Sequence, residues 1–290
     1  MAQSLPKISI ITPSFNQGAF IEEALLSVKE QNYPYVEHIV VDGASTDCTV
    51  KTLRYYGETP GWEHLNWISE PDHGQTDALN KGFRKATGTI VGWLNTDDRY
   101  RPGCFATIAQ EFAEHKEADV VYGDYTWIDE RGDVTRIRRE IEFDRFILCY
   151  HRVLYIPTPS SFFRIRIFEE GNLLDPGLEY SMDYEFFLRL ASKAYRFHHV
   201  PSLLADFRWH AESKSTAYSR RQVAENSAIT VMYSPVLQKV QGTLYQGITL
   251  AGLRAAAAGL RYSKKLLRGS YFEEFWPRPP RQSTTRGLRT

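Results

Sequence analysis

Cysteine is scarce in this chain of 290 residues. The three cysteines, Cys48, Cys104 and Cys149, lack the spacing of a metal-binding motif, so we expect reduced thiols in a reducing compartment. No apolar run approaches the roughly 18–20 residues that span a bilayer. Residues 1–7 also lack the basic and apolar segments of a signal peptide. The sequence therefore predicts a cytoplasmic protein.

An excess of charge of either sign is missing as well. Lys and Arg total 35, Asp and Glu total 35, and we therefore predict no nucleic-acid partner. Internal repeats are absent, and low-complexity segments are absent before the last residues. A hydrophobic content of 42% and a charged content of 24% are ordinary for a globular protein. The length fits one large α/β domain or one domain with a tail.

Short apolar strands alternate with amphipathic helices through the first part of the chain. This alternation predicts a mostly parallel sheet with helices on both faces, and ligands bind such sheets at the carboxyl ends of the strands. The predicted strands cover residues 8–13, 36–41, 65–69, 90–94 and 119–122, and the predicted helices cover 19–31, 46–56, 76–86 and 105–115.

Polar residues follow four of these strands. They lie at 12–16, 42–47, 69–73 and 95–98. Each segment alone is compatible with an ordinary turn or helix cap. Because parallel strands end at one edge of a sheet, the four segments together indicate one polar rim.

Two adjacent carboxylates, Asp97 and Asp98, end the strand at 90–94. Like charges at the end of a buried strand are costly unless they are neutralised, and hard divalent cations prefer carboxylate oxygen. The alternative is that the two acids cap a helix that begins near Pro102. The pair alone leaves both interpretations open.

The alternation of predicted strands and helices ends at about residue 124. Segments 125–127 and 134–138 predict a hairpin, and aromatic and basic residues mix over 143–155. That surface fits a hydroxyl-rich or lipid-linked ligand, or an ordinary half-buried face. Ser181 is a candidate cap for a helix whose first turn holds Asp183.

A dense polar cluster surrounds His210, which is followed by Ser213, Lys214 and Ser215. Such a histidine is a candidate for binding a phosphate or a metal, although a lone histidine is more often structural.

The tail from about residue 238 predicts a helix with a broad apolar face and several basic residues. A basic amphipathic helix can lie on an anionic membrane surface, which would place the protein peripherally on the inner face of the cell membrane. The alternatives are packing on the core or on a second subunit, which would make a homo-oligomer. The final Arg-, Pro- and Ser-rich residues predict disorder.

Four segments in this order resemble the large family 2 of inverting nucleotide-sugar glycosyltransferases, which have the GT-A fold. The resemblance covers residues 5–215, and the tail lies outside it. The segments are IITPSFN (10–16), VVDGASTD (40–47), SEPDHGQTDALNKG (69–82) and GTIVGWLNTDD (88–98).

The resemblance implies an α/β GT-A fold with a Rossmann-like, mostly parallel central sheet, flanking helices and a helical C-terminal tail. We expect a glycosyltransferase domain over 1–220, divided near residue 123 into a nucleotide-sugar-binding half and an acceptor and catalytic half. A helical extension over 221–275 and a disordered tail over 276–290 are expected to follow.

The resemblance also implies the donor-binding residues. Asp42 is expected to accept a hydrogen bond from the base, and Asp97 to contact the ribose or the donor sugar. The expected nucleotide-sugar-binding residues are Thr12, Pro13, Ser14, Asn16, Asp42, Asp72, Gly74, Asp77 and Asp97.

The Asn95-Thr96-Asp97-Asp98 segment resembles the Asp-x-Asp motif of the family, with Asn95 in place of the first acid. By resemblance, Asp98 holds Mn²⁺ or Mg²⁺, and His210 joins the metal or the diphosphate. Asp183 is expected to be the catalytic base, although Met182 replaces the acid that precedes it in the family. Glu185 is the second candidate for the base.

The implied reaction is a metal-dependent, inverting transfer of a sugar from a nucleotide-sugar to a hydroxyl group. A UDP-sugar is the expected donor and a glycan or lipid-linked molecule the expected acceptor, in polysaccharide or cell-surface glycan assembly. A nucleotidyltransferase is one alternative, but residues 14–18 do not form its Gly-rich basic loop. A non-catalytic nucleotide-sugar-binding protein is another, opposed by Asp97, Asp98 and Asp183.

Overall fold

The structure is a computed structural model that describes residues 5–151, 154–209 and 220–269. Its strands are β1 (Ile8–Ser14), β2 (Val36–Asp42), β3 (Leu65–Ser69), β4 (Ile90–Trp93), β5 (Arg99–Tyr100), β6 (Val120–Ile128), β7 (Val134–Arg138), β8 (Ser161–Arg164) and β9 (Phe197–Arg208). Its α-helices are α1 (Ile21–Lys29), α2 (Thr49–Gly57), α3 (Gln75–Lys85), α4 (Cys104–Glu114), α5 (Arg145–Tyr150), α6 (Arg166–Glu169), α7 (Met182–Ser192), α8 (Arg220–Met232), α9 (Pro235–Lys239) and α10 (Tyr245–Leu267).

One sheet runs through the domain in the order β3-β2-β1-β4-β8-β6-β9-β5, and β7 pairs with β6. Strands β3, β2, β1 and β4 are mutually parallel, which confirms the prediction from the strand–helix alternation. The sheet then changes character, because β8 pairs antiparallel with both β4 and β6. The predicted hairpin is also confirmed as β6 and β7.

Helices cover both faces of the sheet, as the sequence predicts. Neighbouring residues of β1 point to opposite faces: Ile10 packs in the core cluster under α1 and α4, and Ile11 in the cluster under α3 and α7. Gly82 allows α3 to approach β1, because a Cβ atom there would lie 2.2 Å from Ile11. The carboxyl ends of the parallel strands remain uncovered and form the rim of the site.

The second helix begins later than the sequence suggests, at Thr49 rather than Thr46. The preceding residues form a loop fastened to the end of β1. Asp47 accepts hydrogen bonds from the backbone nitrogens of Thr49 (2.9 Å) and Gly18 (2.8 Å). The loop is therefore held against its neighbour instead of joining the helix.

The C-terminal extension is helical over 220–232, 235–239 and 245–267, as expected. Its last helix, α10, is fastened to the segment before α5 by ion pairs. Arg261 lies 2.6 Å from Glu140 and Lys264 lies 2.5 Å from Asp144. None of the helices in the described ranges combines the length and the apolarity needed to cross a bilayer. The predicted domain boundaries stay predictions, and the predicted disorder of 276–290 lies outside the described residues.

Candidate active site

Two cavities meet at the edge of the sheet. We call the first, of about 530 Å³, the strand-end cavity, because most of its walls come from the ends of β1, β2, β3 and β4 and the segments that follow them. We call the second, of about 560 Å³, the aromatic cavity. The two cavities share the lining residues Thr158, Tyr180, Asp183 and Phe207. A group bound in one cavity therefore lies next to a group bound in the other.

Five of the predicted donor-binding residues line the strand-end cavity. They are Pro13, Ser14, Asp72, Gly74 and Asp97. Ser14 Oγ and Gln17 Oε1 are buried there without a hydrogen-bond partner among the described residues. Because buried polar atoms are nearly always paired in native proteins, these two are available to a polar ligand.

Two more predicted residues lie behind the cavity wall. Thr12 is buried, and its hydroxyl lies 2.9 Å from Nε2 of His38. Burial lowers the pKa of His38 to about 3, so this imidazole is neutral at pH 7. Asn16 adopts a left-handed backbone (φ 50°), and its Oδ1 accepts a hydrogen bond from Thr46 N at 2.9 Å. Both residues shape the loops rather than line the cavity.

Asp42 is fully buried at the end of β2. Its carboxylate accepts hydrogen bonds from Ser45 N (2.9 Å) and Ser69 Oγ (2.6 Å), which join the loops after β2 and β3. Contact with a base would require these loops to rearrange, and the assignment stays a prediction. Next to it, a Cβ on Gly43 would lie 2.8 Å from a carboxylate oxygen of Asp72, so a larger residue here would displace that side chain on the cavity wall.

The start of α3 is organised by Gly74 and Asp77. Gly74 has a φ of 103°, a left-handed conformation that favours glycine. Asp77 accepts a hydrogen bond from His73 N (3.2 Å) and pairs with Lys81 at 3.3 Å. Burial opposes this ionised state, but the bond from His73 and the charge of Lys81 outweigh it and lower the pKa of Asp77. Asp77 fixes the turn that presents Gly74 to the cavity.

The two adjacent carboxylates occupy different positions. Asp97 lines the cavity, whereas Asp98 is 2% exposed and lies behind it. Asp98 accepts hydrogen bonds from Asn95 Nδ2 (3.1 Å) and Arg208 N (2.9 Å). Burial, and then the charge of Asp97, raise the pKa of Asp98 well above its usual range. The capping alternative is wrong, because α4 begins at Cys104 after Gly103 and has no side-chain cap.

The donor atoms around this pair fit a hard divalent cation. Asn95 Oδ1 accepts hydrogen bonds from Trp93 Nε1 (2.9 Å) and Gln75 Nε2 (3.0 Å), which turns its amide nitrogen towards Asp98. Burial, and then the charge of Asp97, disfavour the ionised form of Asp98, and a bound cation would offset both effects. Carboxylate oxygens are the ligands that Mg²⁺ and Mn²⁺ prefer. His210, the other predicted ligand, lies outside the described residues.

Sequence reasoning assigned no role to Arg208, at the end of β9. Its side chain is buried and donates hydrogen bonds to the backbone oxygens of Asp97 (2.8 Å), Asp129 (2.9 Å) and Glu130 (3.0 Å), and it also pairs with Glu23. Its backbone nitrogen holds Asp98. Arg208 therefore fastens the two-acid loop to β9 and to the β6–β7 turn. A lone arginine after an apolar strand carries no sequence signal for such a role.

Asp183 lies in the first turn of α7 and lines both cavities. Its Oδ1 accepts a hydrogen bond from Tyr184 N at 2.7 Å. Burial raises the pKa of Asp183 to about 6, close to the range in which a carboxylate works as a general base. Glu185, the second candidate, lines neither cavity. It is buried against Arg189 (2.9 Å) and accepts a hydrogen bond from Tyr233 (2.6 Å).

The aromatic cavity gathers rings from separate parts of the chain. Trp127 of β6 and Trp209, just after β9, lie 5.4 Å apart between ring centroids. Ser181 Oγ is buried there with no hydrogen-bond partner in the described ranges, so the predicted helix cap at Ser181 is not made. Arg254 of α10 completes the lining. The sequence marks an aromatic and basic region, but it does not indicate which rings meet.

Comparison with known proteins gives a family and a set of relatives. The model of glycosyl transferase family 2 matches residues 9–171. An uncharacterized glycosyltransferase of Mycobacterium tuberculosis (strain ATCC 25618 / H37Rv) is 32% identical over 191 residues, which are 65% of this chain and 70% of the relative. A PGL/p-HBAD biosynthesis glycosyltransferase of Mycobacterium bovis (strain BCG / Pasteur 1173P2) is 32% identical over 155 residues, 52% of this chain and 59% of the relative.

Solved structures with the same fold include TarS 1-349 of S. aureus in complex with UDP-GlcNAc. It has a TM-score of 0.64 at 19% identity and covers 89% of this chain and 73% of its own. The mannosyltransferase PcManGT from Pyrobaculum calidifontis, in complex with GDP-Man and Mn²⁺, has a TM-score of 0.57 at 18% identity. The match covers 96% of this chain and 89% of PcManGT. These likenesses confirm the expected α/β GT-A fold.

Proposed function

This chain belongs to glycosyl transferase family 2 and is a glycosyltransferase, and we propose that it transfers a sugar from a nucleotide-sugar, preferably a UDP-sugar, to a hydroxyl group of a glycan or lipid-linked acceptor. One observation carries this proposal. Asp183, a half-buried carboxylate with a pKa raised to about 6, lines both the strand-end cavity and the aromatic cavity. The donor occupies the first cavity and the acceptor the second, so the two reacting groups meet at Asp183.

The strand-end cavity suits a nucleotide-sugar. Ser14 Oγ and Gln17 Oε1 offer unpartnered polar atoms, and Phe15 presents an exposed ring that a base can stack on. Two structural neighbours were solved as complexes, one with UDP-GlcNAc and one with GDP-Man. We propose a UDP-sugar as the donor. A donor screen would distinguish it from a GDP-sugar.

A divalent cation, Mn²⁺ or Mg²⁺, when bound, supplies Lewis-acid stabilisation of the leaving diphosphate. Resemblance assigns the metal to Asp98 and the sugar side to Asp97. The position of Asp97 on the cavity wall favours its carboxylate as the direct ligand, while Asp98 is buried behind it. In this proposal the two acids share the cation: Asp97 contacts it, and Asp98 adds negative charge next to it. His210 stays a proposed ligand.

Asp183 is the proposed general base. An acceptor hydroxyl in the aromatic cavity loses its proton to the carboxylate of Asp183 as its oxygen attacks the anomeric carbon of the donor sugar. The nucleoside diphosphate leaves as that bond forms, so one displacement inverts the anomeric centre. Ionised Asp183 is required for this step, and burial places its pKa near 6, so the carboxylate is largely ionised at pH 7.

The aromatic cavity suits a sugar or a comparable amphipathic acceptor. Its rings, including Trp127 and Trp209, can stack on a sugar face, and Ser181 Oγ and Arg254 supply polar contacts. One relative is a PGL/p-HBAD biosynthesis glycosyltransferase. Another is a putative teichuronic acid biosynthesis glycosyltransferase of Bacillus subtilis (strain 168), which is 36% identical over 96 residues, 33% of this chain and 38% of the relative. Polysaccharide or cell-surface glycan assembly is the proposed role.

The direct test is nucleotide release from a panel of UDP- and GDP-sugars, with and without Mn²⁺ or Mg²⁺, in the presence of candidate acceptors. We expect metal-dependent release that Asp97→Ala and Asp98→Asn reduce, whereas the matched variant Asp133→Asn, in the exposed β6–β7 turn, leaves it intact. NMR of the product should show the inverted anomer. Full activity after metal removal would overturn the metal assignment.

Two rival functions give different products in the same assay. A nucleotidyltransferase would release pyrophosphate from a nucleoside triphosphate and a sugar phosphate. A non-catalytic binding protein would show donor-dependent stabilisation in a thermal shift without any nucleotide release. Either result would contradict the proposed transfer.

We also propose peripheral membrane contact, through the outer face of α10 rather than through its basic residues. Arg261, Lys264 and Arg268 pair with Glu140, Asp144 and Glu142 of the catalytic domain. The outward side chains are apolar and well exposed: Leu244, Ile248, Leu266 and Leu267. Beyond Arg268, the sequence after α10 holds aromatic residues and four further arginines, at 278, 281, 286 and 289, which suits an anionic lipid surface.

Flotation with anionic liposomes tests this contact. We expect the full chain to float and the double variant Ile248→Glu and Leu267→Glu to sediment. Lys85→Glu, at the exposed C-terminal end of α3, serves as a charge-matched control. Flotation of the double variant at the level of the full chain would refute the contact, and a dimer lost in the same variant would show that the face belongs to a homo-oligomer.

A further inference from the structure

A second group of potential metal ligands lies away from both cavities. Glu111 and His115 lie on α4 or directly after it, and His198 lies near the start of β9. None of the three lines the strand-end or the aromatic cavity. All three side chains are partly exposed, with 20%, 36% and 26% of their surface accessible, so an ion can reach them.

The fold brings the three ligand atoms together. Glu111 and His115 are four residues apart, which places them on one side of α4. His198 Nε2 lies 3.1 Å from Glu111 Oε2, and His115 Nε2 lies 3.6 Å from the same oxygen. One ligand atom from each residue lies within 4.8 Å of the others.

These distances suit a small tetrahedral ion. A Zn²⁺ ion with ligands at about 2.0–2.1 Å separates neighbouring ligand atoms by about 3.3 Å, between the two distances observed. The imidazole rings stack with centroids 3.8 Å apart and an interplanar angle of 27°. Because an imidazole binds a metal through the lone pair in its ring plane, the two rings must move apart until both Nε2 atoms point at one ion. Two imidazoles and one carboxylate favour Zn²⁺ over Mg²⁺ or Mn²⁺, which prefer oxygen.

A further carboxylate can orient one of the ligands. Glu117 Oε1 lies 3.9 Å from Nδ1 of His115, the ring nitrogen that does not face the cluster. A metal-bound histidine commonly donates its other N–H to a carboxylate, which fixes the ring and increases its basicity. A small torsion of Glu117, whose side chain is 55% exposed, would complete that hydrogen bond.

We propose that Glu111, His115 and His198 form a zinc site that fastens α4 to β9. This site is separate from the metal proposed at Asp97. Strand β9 continues to Arg208, whose backbone nitrogen holds Asp98, and α4 follows the two-acid loop in sequence. A zinc ion here joins the two elements that flank that loop and stabilises the folded state by binding it selectively.

Equilibrium dialysis of the full chain against Zn²⁺ tests the site. Excess Mg²⁺ is included to occupy the oxygen-rich site at Asp97. We expect one Zn²⁺ per chain in the wild type, and an affinity reduced by at least about 100-fold in His198→Ala and in Glu111→Gln. Glu114→Gln is the matched control, because Glu114 lies on the same helix and binds Gln110 instead.

Two further measurements keep the test decisive if one variant folds poorly. Zn²⁺ should raise the melting temperature of the wild type and of Glu114→Gln but not that of Glu111→Gln. Co²⁺ in place of Zn²⁺ should give visible absorption that is lost in His198→Ala. The absence of bound Zn²⁺ in the wild type, or unchanged binding in both ligand variants, would overturn the proposal and leave two histidines that share a carboxylate.

Discussion

The two cavities are built in different ways. The strand-end cavity takes most of its walls from short segments that directly follow parallel strands, such as residues 13–17 and 95–97. The aromatic cavity takes its walls from β6, α5, the residue after β9, α8 and α10, which are far apart in sequence. The proposed nucleotide site is thus encoded locally, and the proposed acceptor site exists only after the chain has folded.

The chemistry of the two walls differs in the same way. Polar oxygens and small residues face the strand-end cavity, where Gly43 leaves room for the carboxylate of Asp72. Rings face the aromatic cavity, where Trp127 and Trp209 pack together. Substitutions should therefore affect donor and acceptor separately, except at the four residues that line both cavities, one of which is Asp183.

The largest effect is expected at this shared residue. Asp183→Asn removes the proton acceptor while keeping the size of the side chain, so kcat should fall by about 10²–10⁴-fold. The KM for the donor should change little, because the strand-end cavity keeps its other walls. Steady-state nucleotide release with a saturating acceptor measures both constants.

Asp175→Asn is the control for this variant. Asp175 accepts a hydrogen bond from Gly177 N at 2.8 Å and lines neither cavity, so its substitution should leave kcat unchanged. Wild-type kcat in Asp183→Asn would remove Asp183 from the mechanism and break the link between the two cavities.

This difference in construction explains what the sequence predicts. Segments 10–16, 40–47, 69–82 and 88–98 predict the parallel half of the sheet and its polar rim, because hydrophobic periodicity and turn residues are local signals. The GT-A fold and the glycosyltransferase class are confirmed. The roles of individual site residues, which resemblance supplies, stay predictions.

Contacts between distant segments could not be predicted in the same way. The bonds from Arg208 to the loop around Asp97 and Asp98 join residues 110 or more positions apart, and no periodic pattern reports such a contact. Antiparallel insertion of β8 between β4 and β6 is also a tertiary event. The basic residues of α10 point inward because acids near residue 140 pair with them. The sequence of the helix alone suggests instead that its basic face points to the solvent.

Arg208 should give the next largest effect, on stability rather than on one cavity. Arg208→Met leaves the carbonyl groups of Asp97, Asp129 and Glu130 without their donor, and a loss of this kind costs about 1–3 kcal/mol where the acceptor is buried. We expect the free energy of unfolding to fall by about 2–4 kcal/mol, since water reaches these partly exposed carbonyl groups and replaces part of the lost bonds. Urea unfolding measures the change. Arg84→Met, on the exposed end of α3, should have no effect, and equal stability of the two variants would contradict the role of Arg208.

The pH dependence of the wild type follows from the raised pKa of Asp183. The base must be ionised, so kcat/KM should fall about tenfold for each pH unit below about 6. The free energy of unfolding depends on pH in the opposite direction from kcat/KM. Because the folded state raises this pKa from 3.8 to about 6, it binds the proton more tightly, and this contribution is lost as pH rises between these values.

Two profiles check this prediction. The acid limb of kcat/KM should lie near pH 6 in the wild type, and Asp183→Asn should lack it. In the wild type, the contribution of Asp183 to the free energy of unfolding should decline between about pH 4 and 6. In Asp183→Asn this decline should be absent. An acid limb that persists in Asp183→Asn would assign the ionisation to another group.

The smallest effects should separate the two cavities most clearly. Phe15 is 60% exposed at the strand-end cavity, and Trp209 is 43% exposed at the aromatic cavity, so truncating either ring disturbs the core little. Loss of one stacking contact is worth about 0.5–1.5 kcal/mol, which corresponds to about 2–10-fold in KM. Phe15→Ala should raise the KM for the donor alone, and Trp209→Ala should raise the KM for the acceptor alone.

Tyr55→Ala is the control, because Tyr55 is 65% exposed and lines neither cavity. If both variants raised both constants equally, the cavities would not divide the substrates, and donor and acceptor would share one binding surface.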